Sequence, residues 1–419
     1  MRPHCVAVAV RAMRSLFARS RTTLVHLIVA VVIGCVGGAL SFLFVESLNW
    51  AGSTREHNEW LVICLPLGGL AVGWLYHRFG QPIAGGTSLV LDAVHVPDGE
   101  VPSRMAPMIW SGSVGSHVVG ASVGREGAIV QIVSSLTDDI ARRFRRPHAS
   151  RRVFLVCAIS AAFGGLFGVP YGGAVFSLEA QRHRRLHVNA IVPAITAGVI
   201  GDKVARWFGV EHETSLSIDS ISWAWPQMWR YLVAAVVFGA VAATFISSEH
   251  AVKRLFVRLV PWPPARPLVG GFVLLALLAI AGNRIYLGIS TELIVMALAG
   301  GTGLVAVAFL WKAVFTAVSL GSGFVGGEVF PLFIIGALTG VQFARITDAS
   351  VPLFAALGLI AVFAAASDTP VACTIIGVEL FGFAGLPLFA LVCFIAEAVS
   401  GEQTIYPSSP LARRSEANT

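Results

Sequence analysis

VFLVCAISAAFGGLFGVPYGGAVFSLE, residues Val153 to Glu179, is apolar almost throughout. Arg142, Arg143, Arg145, Arg146, Arg151 and Arg152 precede it, and Arg182, Arg184 and Arg185 follow it. Basic flanks mark the cytoplasmic side of a bilayer, so both ends of this stretch are expected there. A helix needs about 20 residues to cross about 30 Å of hydrocarbon, and 153–179 is too short for two full crossings. The chain must therefore enter the membrane and turn back, with the turn expected around Gly164-Gly165 to Gly172-Gly173. A pair of broken or re-entrant helices follows, and lipid tolerates these only where the freed backbone is buried in protein.

Composition agrees along the whole chain. With 419 residues, 56% hydrophobic and only 13% charged, and a mean hydropathy of +0.76, the chain lies outside the range of soluble domains. Candidate spans run over 23–49, 60–78, 104–122, 188–208, 229–248, 267–283, 303–320 and 386–400, with shorter pieces between them. Stretches such as Leu24 to Phe44 are apolar on every face, which excludes the alternation of a membrane barrel. A net charge of +7 raises nucleic acid as a partner, but the basic residues cluster beside apolar runs, where topology explains them. Arg2, Arg11, Arg14, Arg19 and Arg21 precede the first span with no acid before Glu46, which places residues 1–22 in the cytoplasm. The run 22–50 is too long for a signal-peptide core. Acidic Glu211, Glu213 and Asp219 suit the opposite face, and Lys253, Arg254, Arg258 and Arg266 return the chain to the cytoplasm. The six cysteines have no metal-ligand spacing and read as packing residues; no metal or cofactor is expected.

The chain also repeats itself. Phe163, Pro170 and Glu179 recur 200 residues on as Phe363, Pro370 and Glu379. Gly124 and Glu126 recur as Gly326 and Glu328, and Gly86 and Ser88 as Gly288 and Ser290, each 202 residues on. Three pieces in one order at nearly one spacing define two halves, 23–222 and 223–405, with a short helix or tail at 406–419. Repeats of this kind in transporters have inverted topology, with the substrate held between them near the midplane.

Gly-rich pieces precede short apolar helices at Gly85-Gly86-Thr87-Ser88, Gly124-Arg125-Glu126-Gly127 and Gly326-Gly327-Glu328-Val329-Phe330-Pro331. The first N–H groups of a helix lack partners and carry positive potential, so an anion can be held there by backbone alone. The alternative is that the glycines only allow close helix packing. Glu126 is a carboxylate in an apolar stretch, at a cost of about 2.5 kcal/mol or more, and marks function by default. It can occupy the anion position itself and leave when protonated, acting as plug and proton acceptor. An ion pair with Arg125 is the plainer reading, disfavoured because neighbouring side chains leave a helix on different faces. Thr87 and Ser88 offer a hydroxyl to a desolvated anion, or simply cap a helix from Ser88 to Val94. Tyr406 alone reads as an interfacial aromatic. Lys312 is a second intramembrane charge, with Glu328 or Glu379 as the expected partner. His117 has no motif partner, and no catalytic Ser/His or metal arrangement occurs at helical spacing, so the chain does not read as an intramembrane enzyme.

On these residues the chain resembles the CLC family of chloride channels and proton-coupled anion exchangers, over nearly its full length. Gly124 to Gly127 is similar to the family's gating-glutamate motif, Gly326 to Pro331 to its second anion-binding motif, and Tyr406 falls at its central tyrosine. The resemblance implies an all-α membrane protein of two inverted repeats, and a homodimer with a pore in each subunit. It also implies anion contacts from Thr87, Ser88, Gly124, Arg125, Gly127, Glu328, Val329, Phe330 and Tyr406, and residence in a cell inner membrane or plasma membrane. Asp92 to His95, Arg104 to Pro107, Gly326 to Val329 and Asp368 to Ile375 are most similar to the bacterial fluoride-exporting branch. That implies proton-coupled fluoride export, with a chloride channel or chloride/proton exchanger as the alternative. Three positions depart from the pattern. Residue 87 is Thr where that branch has Met or Asn, and residue 330 is Phe where it has Thr. Ala180 stands where many exchangers carry a proton-relay glutamate.

Overall fold

The computed structural model describes residues 3–80, 83, 85–95, 99–180, 188–212 and 225–406, with side chains from Thr22 on, those of His95 and Val188 excepted. The division expected at 222/223 and the tail beyond Tyr406 lie outside the described residues. Among the described residues there is no strand, only an isolated bridge between Gly124 and Gly327. The helices of the first half are α1 (Pro3–His57), α2 (Leu65–Phe79), α3 (Gly86–His95), α4 (Met105–Val119), α5 (Glu126–Arg143), α6 (His148–Phe167), α7 (Pro170–Glu179) and α8 (Val188–Trp207). Those of the second are α9 (Met228–Leu259), α10 (Ala265–Ala281), α11 (Thr291–Leu298), α12 (Ala308–Ser322), α13 (Val329–Thr347), α14 (Val351–Ser367), α15 (Pro370–Phe381) and α16 (Leu386–Ser400). Each helix of the first half thus has a counterpart about 200 residues later, in the same order.

Among the described residues, six helices are long and apolar enough to cross a membrane. Four fall on expected spans, and His148–Phe167 lies in the re-entrant stretch. Val329–Thr347 was not expected as a span, because Gly336, Thr339, Gly340 and Gln342 dilute its apolar signal. In contrast, α4 and α12 have only 15 residues each. At 1.5 Å per residue, roughly 22 Å, they stop short of a full crossing.

The turn inside Val153–Glu179 lies within the expected stretch, between Gly164-Gly165 and Gly172-Gly173. α6 continues through Gly164-Gly165 and ends at Phe167, where Gly168 takes φ +69°; Pro170 then starts α7. A left-handed residue followed by a proline that lacks an N–H stops one helix and opens the next. Gly164 and Gly165 serve packing instead: a Cβ on Gly164 would lie 2.2 Å from the Gly198 carbonyl of α8. The second half repeats the device with Asp368 (φ +57°) and Pro370. α13 and α14 pack through Gly340, where a Cβ would lie 1.9 Å from the Phe354 carbonyl oxygen. Small residues bring backbones together where lipid supplies no hydrophobic drive.

The re-entrant helices α7 and α15 are tied end to end. The Glu379 carboxylate, on the last turn of α15, accepts from the N–H groups of Tyr171 (3.0 Å) and Gly172 (2.6 Å) at the start of α7. Glu179, on the last turn of α7, accepts from Val371 (2.9 Å) and Ala372 (2.6 Å) at the start of α15. Each carboxylate satisfies orphan donors of the opposite helix, so neither backbone end is left bare in the membrane.

Candidate functional site

The loops ahead of α5 and α13 come from opposite halves and meet back to back. Gly124 N donates to Gly327 O and Gly327 N to Gly124 O, both at 2.7 Å. A Cβ at Gly327 would lie 2.8 Å from Gly127 N, so only glycine allows the loops to sit this close. From this crossing α5 runs on to Arg143 and α13 to Thr347. Their positive N-terminal ends therefore converge deep in the bundle.

The Glu126 side chain occupies the point of convergence. It is 1% exposed. Its Oε2 accepts from Arg125 N (3.0 Å) at its own helix start and from Phe330 N (3.2 Å) at the start of α13. One carboxylate oxygen thus takes donors from two helix N-termini. The expectation that Arg125 and Glu126 point apart is corrected: Arg125 Nε lies 3.6 Å from Glu126 Oε1. Arg125 precedes the helix rather than sitting in it, so helical spacing does not govern its direction. Its guanidinium also lies 5.6 Å from the Phe330 ring centroid. Arg125 and Phe330 line a cavity of about 410 Å³ with Glu46, Asn49, His212 and Thr291.

Thr87 reaches this region and Ser88 lies beside it. α3 starts at Gly86, two residues before the expected start, so both residues lie inside the first turn and neither is the cap. Thr87 Oγ1 accepts from Gln131 Nε2 at 3.1 Å, and a Cβ on Gly127 would lie 3.2 Å from that oxygen. Because the hydroxyl oxygen is the acceptor in that bond, its own proton is free for another partner. Gln131 had not been singled out from sequence. Its signal was a lone amide five residues after Glu126 in the otherwise apolar run from Gly127 to Val133, and it is buried.

Val329 and Phe330 are the first buried residues of α13, with Glu328 as the half-buried residue just before the helix. Tyr406 is half-buried. It packs its ring against Phe176 of α7, with centroids 6.2 Å apart. Its segment is held by Ile405 N donating to Ala366 O at 2.9 Å.

Lys312 is not paired with Glu328 or Glu379 as expected. It is fully buried, and its ammonium donates to Ser122 Oγ (2.8 Å), Ser290 Oγ (2.9 Å), Gly288 O (3.1 Å) and Tyr286 O (3.3 Å). Glu379 is committed to the α7 helix start instead. The lysine ties the loop before α11 to the loop that carries Gly124 and Glu126. His117 Nδ1 lies 2.7 Å from Ser113 O on its own helix, and Arg55 donates to His117 O at 2.9 Å.

Two inverted halves, with opposed helix starts meeting at a buried carboxylate, define a multi-pass membrane transport protein. The chain belongs to the voltage gated chloride channel family, whose model matches residues 68–401. It is 37% identical to the chloride/fluoride channel protein of Pseudomonas syringae pv. tomato over 394 residues, covering 91% of this chain and 85% of that one. It is 27% identical over 403 residues to the H(+)/Cl(-) exchange transporter ClcA of Yersinia pestis, covering 88% and 83%. Among solved structures it is similar to a CLC-type fluoride/proton antiporter, with a TM-score of 0.88, 30% identity, and coverage of 93% of this chain and 98% of that one. A slow cyanobacterial Cl-/H+ antiporter shares the fold with a TM-score of 0.78 at 21% identity, covering 94% and 98%.

Proposed function

We propose that the protein is a proton-coupled halide exchanger that exports fluoride, working as a transporter and not as an enzyme. The observation that carries this reading is the Glu126 carboxylate accepting from Arg125 N and Phe330 N. Those donors suit a desolvated anion, so carboxylate and halide compete for one position. When Glu126 takes up a proton it loses its charge and its hold on the two helix starts, and a halide replaces it. When the halide leaves, the carboxylate returns and releases the proton. Anion and proton therefore move in opposite directions.

Thr87, with its oxygen satisfied by Gln131, supplies a hydroxyl donor to the anion. Gly124 and Gly127 give backbone access, with Ser88, Val329 and Phe330 around the site. Arg125 raises the local halide concentration at the mouth. Glu328 and Tyr406 flank the inner side. The fluoride/proton antiporter and chloride/fluoride channel relatives support the choice of ion. A second reading, chloride conduction or chloride/proton exchange, is favoured by Phe330, an apolar ring in place of a hydroxyl beside the path, which suits a less hydrated anion.

The halves are residues 23–222 and 223–405, after a cytoplasmic 1–22 and before a short 406–419. We assign the assembly as a homodimer with a pore in each subunit, in the inner or plasma membrane; family membership supports that assignment. The test is ion-selective. Liposomes holding the protein and loaded with potassium fluoride or potassium chloride are opened with a potassium ionophore while external pH is followed. Faster fluoride than chloride efflux with proton uptake upholds the reading. Fluoride efflux without proton movement leaves a channel.

A further inference from the structure

Polar residues recur along α12 at Lys312, Thr316 and Ser319, a spacing that puts all three on one helix face, and each is fully buried. That face meets the loop ahead of α5. Ser319 Oγ accepts from Ser122 N at 3.0 Å, and Thr316 Oγ1 lies 3.1 Å from Ser122 Oγ. The other half mirrors this clasp. On α4, Ser116 Oγ accepts from Val325 N at 3.1 Å, and both partners stand 203 residues from Ser319 and Ser122 in the sequence. Ser122 and Val325 come two residues before Gly124 and Gly327, the glycines through which the two site loops pair. The short helix of each half therefore holds the site loop of the other.

The symmetry ends at Lys312. Its counterpart on α4 is Ile109, and the counterpart of the Ser122 hydroxyl is the Val325 side chain. Lys312 Nζ donates to Ser122 Oγ at 2.8 Å and meets Tyr286 O, Gly288 O and Ser290 Oγ on its other side. Ser290 gives its own proton to Leu287 O at 3.2 Å, so all three of these groups accept from the lysine. Three N–H donors exist only in the ammonium form. The plainer reading is that Lys312 serves packing. Ile109 fills the same place on α4 without a charge, however, and a lysine inside a membrane is costly. What differs between the halves is the donor that each loop presents. Phe330 N lies inside α13, where the helix fixes it, whereas Arg125 N lies in the loop, one residue before α5 and three after Ser122.

We propose that Lys312 is a positioning residue for the anion site. Through Ser122 its ammonium fixes the loop 122–125 and keeps the Arg125 N–H, 3.0 Å from Glu126 Oε2, on the position that carboxylate and halide share. This rests on the halide reading above. The lysine's own partners are Ser122, Ser290, Gly288 and Tyr286, so it acts on the anion through the loop. Without it the loop keeps the Ser319 clasp but loses its second hold, and the Arg125 donor drifts from the halide.

The experiment measures initial fluoride efflux against internal fluoride in proteoliposomes of the full chain carrying Glu126→Gln, a background in which no carboxylate competes for the position. Ser122→Ala and Lys312→Met are added singly and together. Each should raise the KM for fluoride about tenfold, the weight of one hydrogen bond to a charged group, with the maximal rate per folded protein within about threefold. The pair should exceed the larger single change by no more than about twofold, because both break one link. Should Lys312→Met not fold, Lys312→Gln, which offers two donors in place of three, takes its place. An unchanged KM with a lower maximal rate is the mark of a merely structural lysine and overturns the proposal, as does a double change equal to the product of the singles. A Glu126→Gln protein with no saturable fluoride efflux overturns the halide reading itself, so the two failures are distinguishable.

Discussion

Replacing Glu379 by Gln tests the tie between the re-entrant helices. The carboxylate accepts two backbone N–H groups of α7, one on each oxygen, at 3.0 and 2.6 Å. Glutamine keeps a single acceptor and turns an amide N–H toward the other donor. One charge-assisted hydrogen bond is then lost, about 1.5–3 kcal/mol. The interaction of a negative charge with the helix start, about 0.3–1 kcal/mol, goes with it. The sum is about 2–4 kcal/mol, with little change in volume. Glu179→Gln removes the matching bonds to Val371 and Ala372 and should cost about as much. Because the carboxylates cap opposite ends of an antiparallel pair, the double variant should be additive within about 0.5 kcal/mol. Equilibrium unfolding in detergent, titrated with SDS and read by circular dichroism, measures all three. Single variants within about 0.5 kcal/mol of the wild type would refute the end-to-end tie, since surface-like substitutions give changes of that size.

Two further outcomes follow from the site. Lys312→Met should destabilise by about 3 kcal/mol in the same assay, because buried acceptors at Ser290, Gly288 and Tyr286 each lose a donor worth about 1–3 kcal/mol while the cost of burying a charge is relieved. Thr87→Val, nearly isosteric, should slow fluoride efflux from liposomes by about tenfold, the loss of one hydrogen bond to a charged partner, whereas Thr87→Ser should stay within about twofold.

The helical membrane fold was legible because its signals are local and repeated. Arginines on both sides of Val153–Glu179 required a return inside the bilayer, and the spacing of Pro170 and Glu179 from Pro370 and Glu379 gave the two halves. Glu126 stood out as a carboxylate among apolar residues. What sequence did not yield was pairing across the halves. Glu179 stood only as the repeat partner of Glu379, and Glu379 as a partner for Lys312, since the N–H groups they accept from lie about 200 residues away and backbone donors leave no mark in a sequence. Lys312 was matched to acids because opposite charge is the simplest partner, yet two hydroxyls and two carbonyls satisfy it. Gln131 was hidden because an amide has no motif of its own. The turn was bracketed only broadly, between Gly164-Gly165 and Gly172-Gly173, because glycine serves packing and turning alike and Gly164 packs against α8.

The central claim is that the Glu126 carboxylate and a halide share one position between two helix starts. The most direct measurement is simultaneous fluoride efflux and proton uptake for the wild type and Glu126→Gln in the same liposomes. Glutamine cannot take up a proton and release it again, so the account predicts proton uptake lost in Glu126→Gln while the wild type shows fluoride-driven uptake. A Glu126→Gln protein that still drives proton uptake at the wild-type ratio to fluoride would contradict it.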